Sequence, residues 1–98
     1  MRTLCKITMP AAGANRAVRD GLLPKLLEQT IATLKPEAAY FTGVNGERTA
    51  MFVFDMKSSA EMPVIAEPFF MQLDARVEFT PVMNFEDLKT GLGNVQKR

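Results

Sequence analysis

The segment Glu37–Asp55, EAAYFTGVNGERTAMFVFD, decides the fold. Two runs of strand-forming residues flank Asn45-Gly46, and both of those residues tolerate positive φ. The pair therefore marks a two-residue type I′ hairpin turn. Glu37–Val44 reads as one strand, with Tyr40 and Phe41 on opposite faces, and Glu47–Asp55 reads as its partner. The centre of the second strand, Ala50-Met51-Phe52-Val53-Phe54, is apolar at both parities. A strand with no polar side belongs in the middle of a sheet and needs cover above and below.

Upstream of the hairpin, Arg2–Met9 alternates as a strand, with Thr3, Cys5, Ile7 and Met9 on one face and Leu4, Lys6 and Thr8 on the other. Pro10 has no N–H for a ladder and ends it. Ala11–Asn15 reads as a short loop, with Asn15 as a helix cap. Leu23, Leu27, Ile31 and Leu34 then form one helical face. Gly21 and Pro24 interrupt that face, a kink or two helical pieces are expected at Pro24, and Lys35-Pro36 stops the run. Downstream, Ser58-Ser59-Ala60-Glu61 matches a capping box ahead of the stripe Met62, Ile65, Ala66, Phe69 and Leu73, with a bend expected at Pro68. Ala75–Val82 reads as a fourth strand. Asn84 with Asp87 starts a short terminal helix, which Gly91 and Gly93 should break, leaving residues 91–98 frayed.

The pattern is strand–helix–strand–strand–helix–strand over a single domain, residues 1–98. It predicts an α+β, ferredoxin-like βαββαβ fold with a four-stranded antiparallel sheet, strand order 4-1-3-2, and both helices on one face. The other face then exposes half of the apolar third strand. Burying one large apolar side chain is worth about 1.5–3 kcal/mol, so a homodimer through the sheet faces is expected. Lys6, Glu78 and Arg76 should lie on that open face, as a rim ion pair or a polar pocket between sheets.

Composition narrows the function classes. Twelve Lys+Arg against eleven Asp+Glu give a net charge of +1, which argues against an electrostatic grip on nucleic acid or on an anionic membrane. The chain has no histidine and one cysteine, so no metal site or disulfide framework is expected, and no cofactor. No signal peptide or membrane-spanning run is legible, and a cytoplasmic location is expected. Strands one and three lack the stacking aromatics of an RNA-recognition motif at the required places.

Several segments carry a resemblance: the opening strand ending Met9-Pro10; Ala17-Val18-Arg19-Asp20-Gly21; Leu34-Lys35-Pro36-Glu37-Ala38-Ala39-Tyr40-Phe41; Gly46-Glu47-Arg48-Thr49; Ala66-Glu67-Pro68-Phe69; and Thr80-Pro81-Val82-Met83. Over nearly its whole length the chain resembles the dimeric α/β-barrel superfamily, and most closely a group of small uncharacterised bacterial proteins within it. The resemblance implies a dimeric barrel and a ligand site between sheet and helices. The small group implies no particular activity. The wider superfamily, which includes monooxygenases and muconolactone-isomerase-like proteins, implies isomerase or cofactor-free monooxygenase-like chemistry only by analogy of fold, since function is grafted onto a fold by its site residues.

Those residues are few. Tyr40 and Glu67 are the candidate catalytic groups, Tyr40 as an acid or hydrogen-bond donor and Glu67 as a base if Pro68 turns it inward. Asn15, Arg19, Tyr40 and Arg48 are the candidate ligand contacts. Each has an ordinary alternative: a cap for Asn15, a solvated charge for Arg19, Arg48 and Glu67, and an edge-strand aromatic for Tyr40. Cys5 reads as a small buried apolar group. The leading expectation is a homodimer that binds a small apolar or aromatic metabolite, with isomerase or cofactor-free monooxygenase-like activity. The alternative is a non-catalytic structural or regulatory dimer.

Overall fold

A computed structural model describes residues 1–97. Its elements are β1 (Arg2–Met9), α1 (Ala11–Arg19), α2 (Leu22–Leu34), β2 (Ala38–Val44), β3 (Glu47–Asp55), α3 (Glu61–Leu73), β4 (Arg76–Pro81) and α4 (Phe85–Gln96). The strands form one antiparallel sheet in the order β2-β3-β1-β4. This is the order expected from the hairpin and the crossovers. The protein is α+β, and its arrangement is compatible with the ferredoxin-like fold. Asn45 and Gly46 have φ of 53° and 76°, as the type I′ turn requires.

The first helical region differs from its expected outline. It starts at Ala11, not after Asn15, and Pro10 occupies the N-cap with extended backbone angles. Asn15 therefore lies inside α1 and caps nothing. The break falls at Gly21, whose φ of 71° lets the chain turn between α1 and α2. Pro24 is the third residue of α2, where an N–H would have no partner within the helix, so it causes no break.

Ala11, Ala12 and Ala14 favour the helix that follows Pro10, and Gly13 fits it against α3. A Cβ on Gly13 would lie 2.8 Å from the carbonyl carbon of Leu73, so α1 and the end of α3 meet backbone to backbone. That contact is made in the tertiary structure, and local propensity does not show it.

Half of the expected capping box precedes α3. The Glu61 carboxylate accepts from the backbone N–H groups of Lys57 (2.6 Å) and Ser58 (3.2 Å), while the Ser58 hydroxyl accepts from Ala60. α3 runs through Pro68 to Leu73. The box at Asn84 and Asp87 forms in both directions. Contrary to expectation, α4 continues through Gly91 and Gly93 to Gln96. The full box and the acidic first turn (Glu86, Asp87) favour the helix enough to carry two glycines, each costing up to about 1 kcal/mol relative to alanine. The last residue of the expected frayed tail, residue 98, lies outside the described residues.

The register assigns the two faces of the sheet. Cys5 pairs with Phe52, Thr3 with Phe54 and Ile7 with Ala50, and all six are buried. They pack with Ala14, Ala17, Leu23, Leu26, Ile65, Phe69 and Leu73 in one core. The opposite face carries Leu4, Lys6, Met51 and Val53, each half-buried, and the exposed Tyr40. Lys6 and Glu78 stand opposite each other in register, but the ion pair forms between Arg76 and Glu47 (3.2 Å). Since β1 lies between those two strands, that pair spans it near Thr8, which is buried along with its neighbour Thr49. Among the described residues no helix is long and apolar enough to cross a membrane.

Candidate functional site

The sheet's inner face is not covered evenly. α2 crosses it near the β2 edge and leaves a cavity of about 400 Å³, lined by Met9, Leu23, Leu27, Phe41, Thr42, Arg48 and Thr49. Its wall is mainly aliphatic and aromatic. Phe41 faces the helices, opposite in parity to Tyr40, yet is 53% exposed. A phenylalanine on the inner face that stays this accessible marks an opening in the helical layer. Its ring is held edge-on by the buried Phe52, with centroids 5.9 Å apart and planes at 82°.

Arg48 supplies the polar end. It pairs in register with Met9, so its side chain leaves β3 on the helical face. Its Nη1 donates to Asn15 Oδ1 at 3.0 Å. The two residues are far apart in sequence and meet because α1 passes beside the first residues of β3. Among the described residues Arg48 is in none of the ion pairs, whereas Arg2, Arg16 and Arg76 each hold a carboxylate. A guanidinium presents five donors in a fork suited to a carboxylate or a related anion, and the amide of Asn15 occupies one.

The other expected site residues do not converge there. Arg19 is exposed one helical turn beyond Asn15 on α1. Tyr40 pairs with Met51 on the opposite face of the sheet. Glu67 is exposed on α3, so Pro68 does not bury its carboxylate. The structure thus joins Asn15 with Arg48 and leaves Tyr40 and Glu67 apart from them. Leu23, Leu27, Met9 and Phe41 complete the wall. The parity of Phe41 in the hairpin is the sequence signal that could have found them.

A larger recess of about 690 Å³ opens at the end of the sheet, lined by Met1, Arg2, Glu37, Asp55, Pro81, Val82, Met83 and Asp87. Its charges are already committed to each other. Arg2 bonds Glu37 (2.7 Å) and Asp87 (2.6 Å), and Asp55 bonds Lys57 and the Met1 ammonium. Those last two partners, Lys57 foremost, hold the Asp55 carboxyl down at about 2. The recess lies at the junction between α4 and the sheet, where these groups satisfy one another. A third hollow of about 140 Å³, between α2 and α3, is too small for more than a fragment. Among the described residues no group of His, Cys, Asp or Glu is arranged to hold a metal ion.

Cys5 belongs to the core. Burial pushes its thiol up from 9.0 to about 12. A folded-state value above the ordinary one makes a stability contribution that is full below pH 9 and is lost as pH rises toward 12. Thiol reagents at pH 8 should therefore label Cys5 only at the rate of unfolding, and melting temperature should fall through that alkaline window. Immediate stoichiometric labelling of folded protein would contradict this.

No family model matches the chain, and no curated protein or solved structure is significantly similar to it.

Proposed function

We propose that the protein binds a small, largely apolar or aromatic molecule in the cavity between α2 and the sheet, with Arg48 engaging one polar or anionic end. The carrying observation is the pairing of an apolar wall with a single guanidinium positioned by Asn15. Such a combination, a mostly hydrophobic hollow with few convergent polar groups, is the usual form of a small-molecule site. The cavity lining contains no carboxylate, tyrosine or cysteine. This favours binding, in a sensing or carrier role, over the isomerase or monooxygenase chemistry that the dimeric α/β-barrel resemblance suggests.

The same reading includes a cytoplasmic homodimer of the dimeric α/β-barrel kind, with open sheet faces packed together. Leu4, Met51 and Val53 support it, since half-buried apolar residues at the centre of a sheet gain from a second layer.

A panel of aromatic and quinone-like metabolites, with and without a carboxylate, tests the site through melting temperature. At least one carboxylate-bearing member should stabilise the wild type by several degrees. Arg48→Ala should weaken its binding roughly 10- to 100-fold, as loss of a charge-assisted hydrogen bond predicts. Tyr40→Phe and Glu67→Gln should leave binding unchanged. No shift with any compound, or equal binding by Arg48→Ala, would overturn the proposal.

A further inference from the structure

α4 is out of keeping with the rest of the molecule. None of its residues is buried. Phe85, Leu88, Leu92 and Val95 are 70%, 39%, 55% and 63% exposed. Their spacing of three, four and three places them on one narrow helical stripe. The radius of gyration, 15.7 Å, exceeds the roughly 13 Å of a compact chain of this length, and the long axis reaches 55 Å. The helix therefore projects as an arm.

Its root is fixed. Arg2 leaves β1 on the open face, where Leu4 and Lys6 also point, and its Nη1 donates to Asp87 in the first turn of α4. Asp87 also closes the capping box with Asn84. The arm therefore departs from the end of the open face, and Val82 and the exposed Met83 connect the two surfaces.

We infer that the arm clasps a second copy of this chain, and that its apolar stripe and the open sheet face form one continuous two-fold interface. The inference rests on the face-to-face dimer proposed above and adds the arm to it. Area is the first argument. Four strands of six to nine residues make an open face of about 500 Å². A stable interface buries about 800 Å² on each partner. The sheet alone falls short. One face of the 12-residue α4 adds about 180 Å², bringing each copy to about 700 Å², inside the range of stable interfaces.

Charge is the second argument. At +1 per chain, two copies repel little. α4 carries Glu86 and Asp87 against Lys89, so it lacks the basic face with which an amphipathic helix holds an anionic lipid surface.

Sedimentation of the full-length chain across a concentration series tests the inference, with Leu88→Glu/Leu92→Glu on the arm and Val53→Glu on the sheet. Because no residue of α4 is fully buried in one copy, the arm variant should keep the wild-type circular dichroism. The wild type should sediment at twice its 10.9 kDa mass. The arm variant should raise the dimer dissociation constant at least about 100-fold, and so should Val53→Glu. If Val53→Glu dissociates the dimer and the arm variant does not, the sheet-face dimer stands and the arm's role is overturned. A wild type that stays monomeric at 100 µM or so overturns both, whether or not α4 then binds anionic vesicles.

Discussion

Gly13→Ala is expected to lower the melting temperature by roughly 10 °C. The substitution would ordinarily help a helix, since alanine is favoured over glycine by up to about 1 kcal/mol in a helix interior. Here the added methyl meets the backbone of Leu73, with the carbonyl carbon only 2.8 Å away. A flexible side chain could move aside cheaply, but a carbonyl at the end of α3 cannot. It is tied into the turn, where Asp74 donates to Phe70 and Ala75 to Phe69. Overpacking a close contact costs about 1–3 kcal/mol, which outweighs the propensity gain. In a domain this small each kcal/mol moves the melting temperature by about 4–8 °C. An unchanged or raised melting temperature would mean that α1 and α3 do not approach this closely.

Phe52→Ala should be the most damaging single change in the core. Phe52 is fully buried, stands between Cys5 on β1 and Ala39 on β2, and supports the ring of Phe41. Truncating a buried phenylalanine costs about 3–5 kcal/mol. A chain of 98 residues has about 5–15 kcal/mol in total, so about a fifth of its stability or more goes. Urea unfolding should show a midpoint lowered in proportion, and Phe52→Leu, which leaves less empty volume, should recover much of the loss. Phe52→Ala should also weaken any cavity ligand, because Phe41 loses its support. A variant with wild-type stability would contradict the assigned register.

The sheet was largely legible from residue order alone. The hairpin turn fixes the parity of β2 and β3, the two-sided apolarity of Ala50–Phe54 places β3 in the interior, and Pro10 and Pro36 separate strand from helix. What escaped was what depends on contact between distant segments. Pro10 and Gly13 suggest a loop at Ala11-Ala12-Gly13, yet the segment is helical; its alanines favour a helix, and the close approach of α3 gives Gly13 a role that local sequence does not show. Gly91 and Gly93 look like breakers, yet α4 persists behind a complete capping box.

The site was legible in part for the same reason. Asn15 and Arg48 were each identifiable as polar residues near element ends, but nothing local announces that they meet. Tyr40 offers a polar tip on a strand, whereas its neighbour Phe41 has the parity that faces the cavity. Strand alternation assigns faces reliably. It does not say which face a helix leaves partly uncovered.

The most direct measurement is a methyl NMR titration of the full-length protein with the most stabilising carboxylate from the panel. Shifts should concentrate at Met9, Leu23 and Leu27 and should require roughly 10- to 100-fold more compound in Arg48→Ala. Shifts centred instead on Met1, Val82 and Met83 at the α4 junction, or no shifts at saturating compound, would show that the hollow beneath α2 is not where this protein takes its ligand.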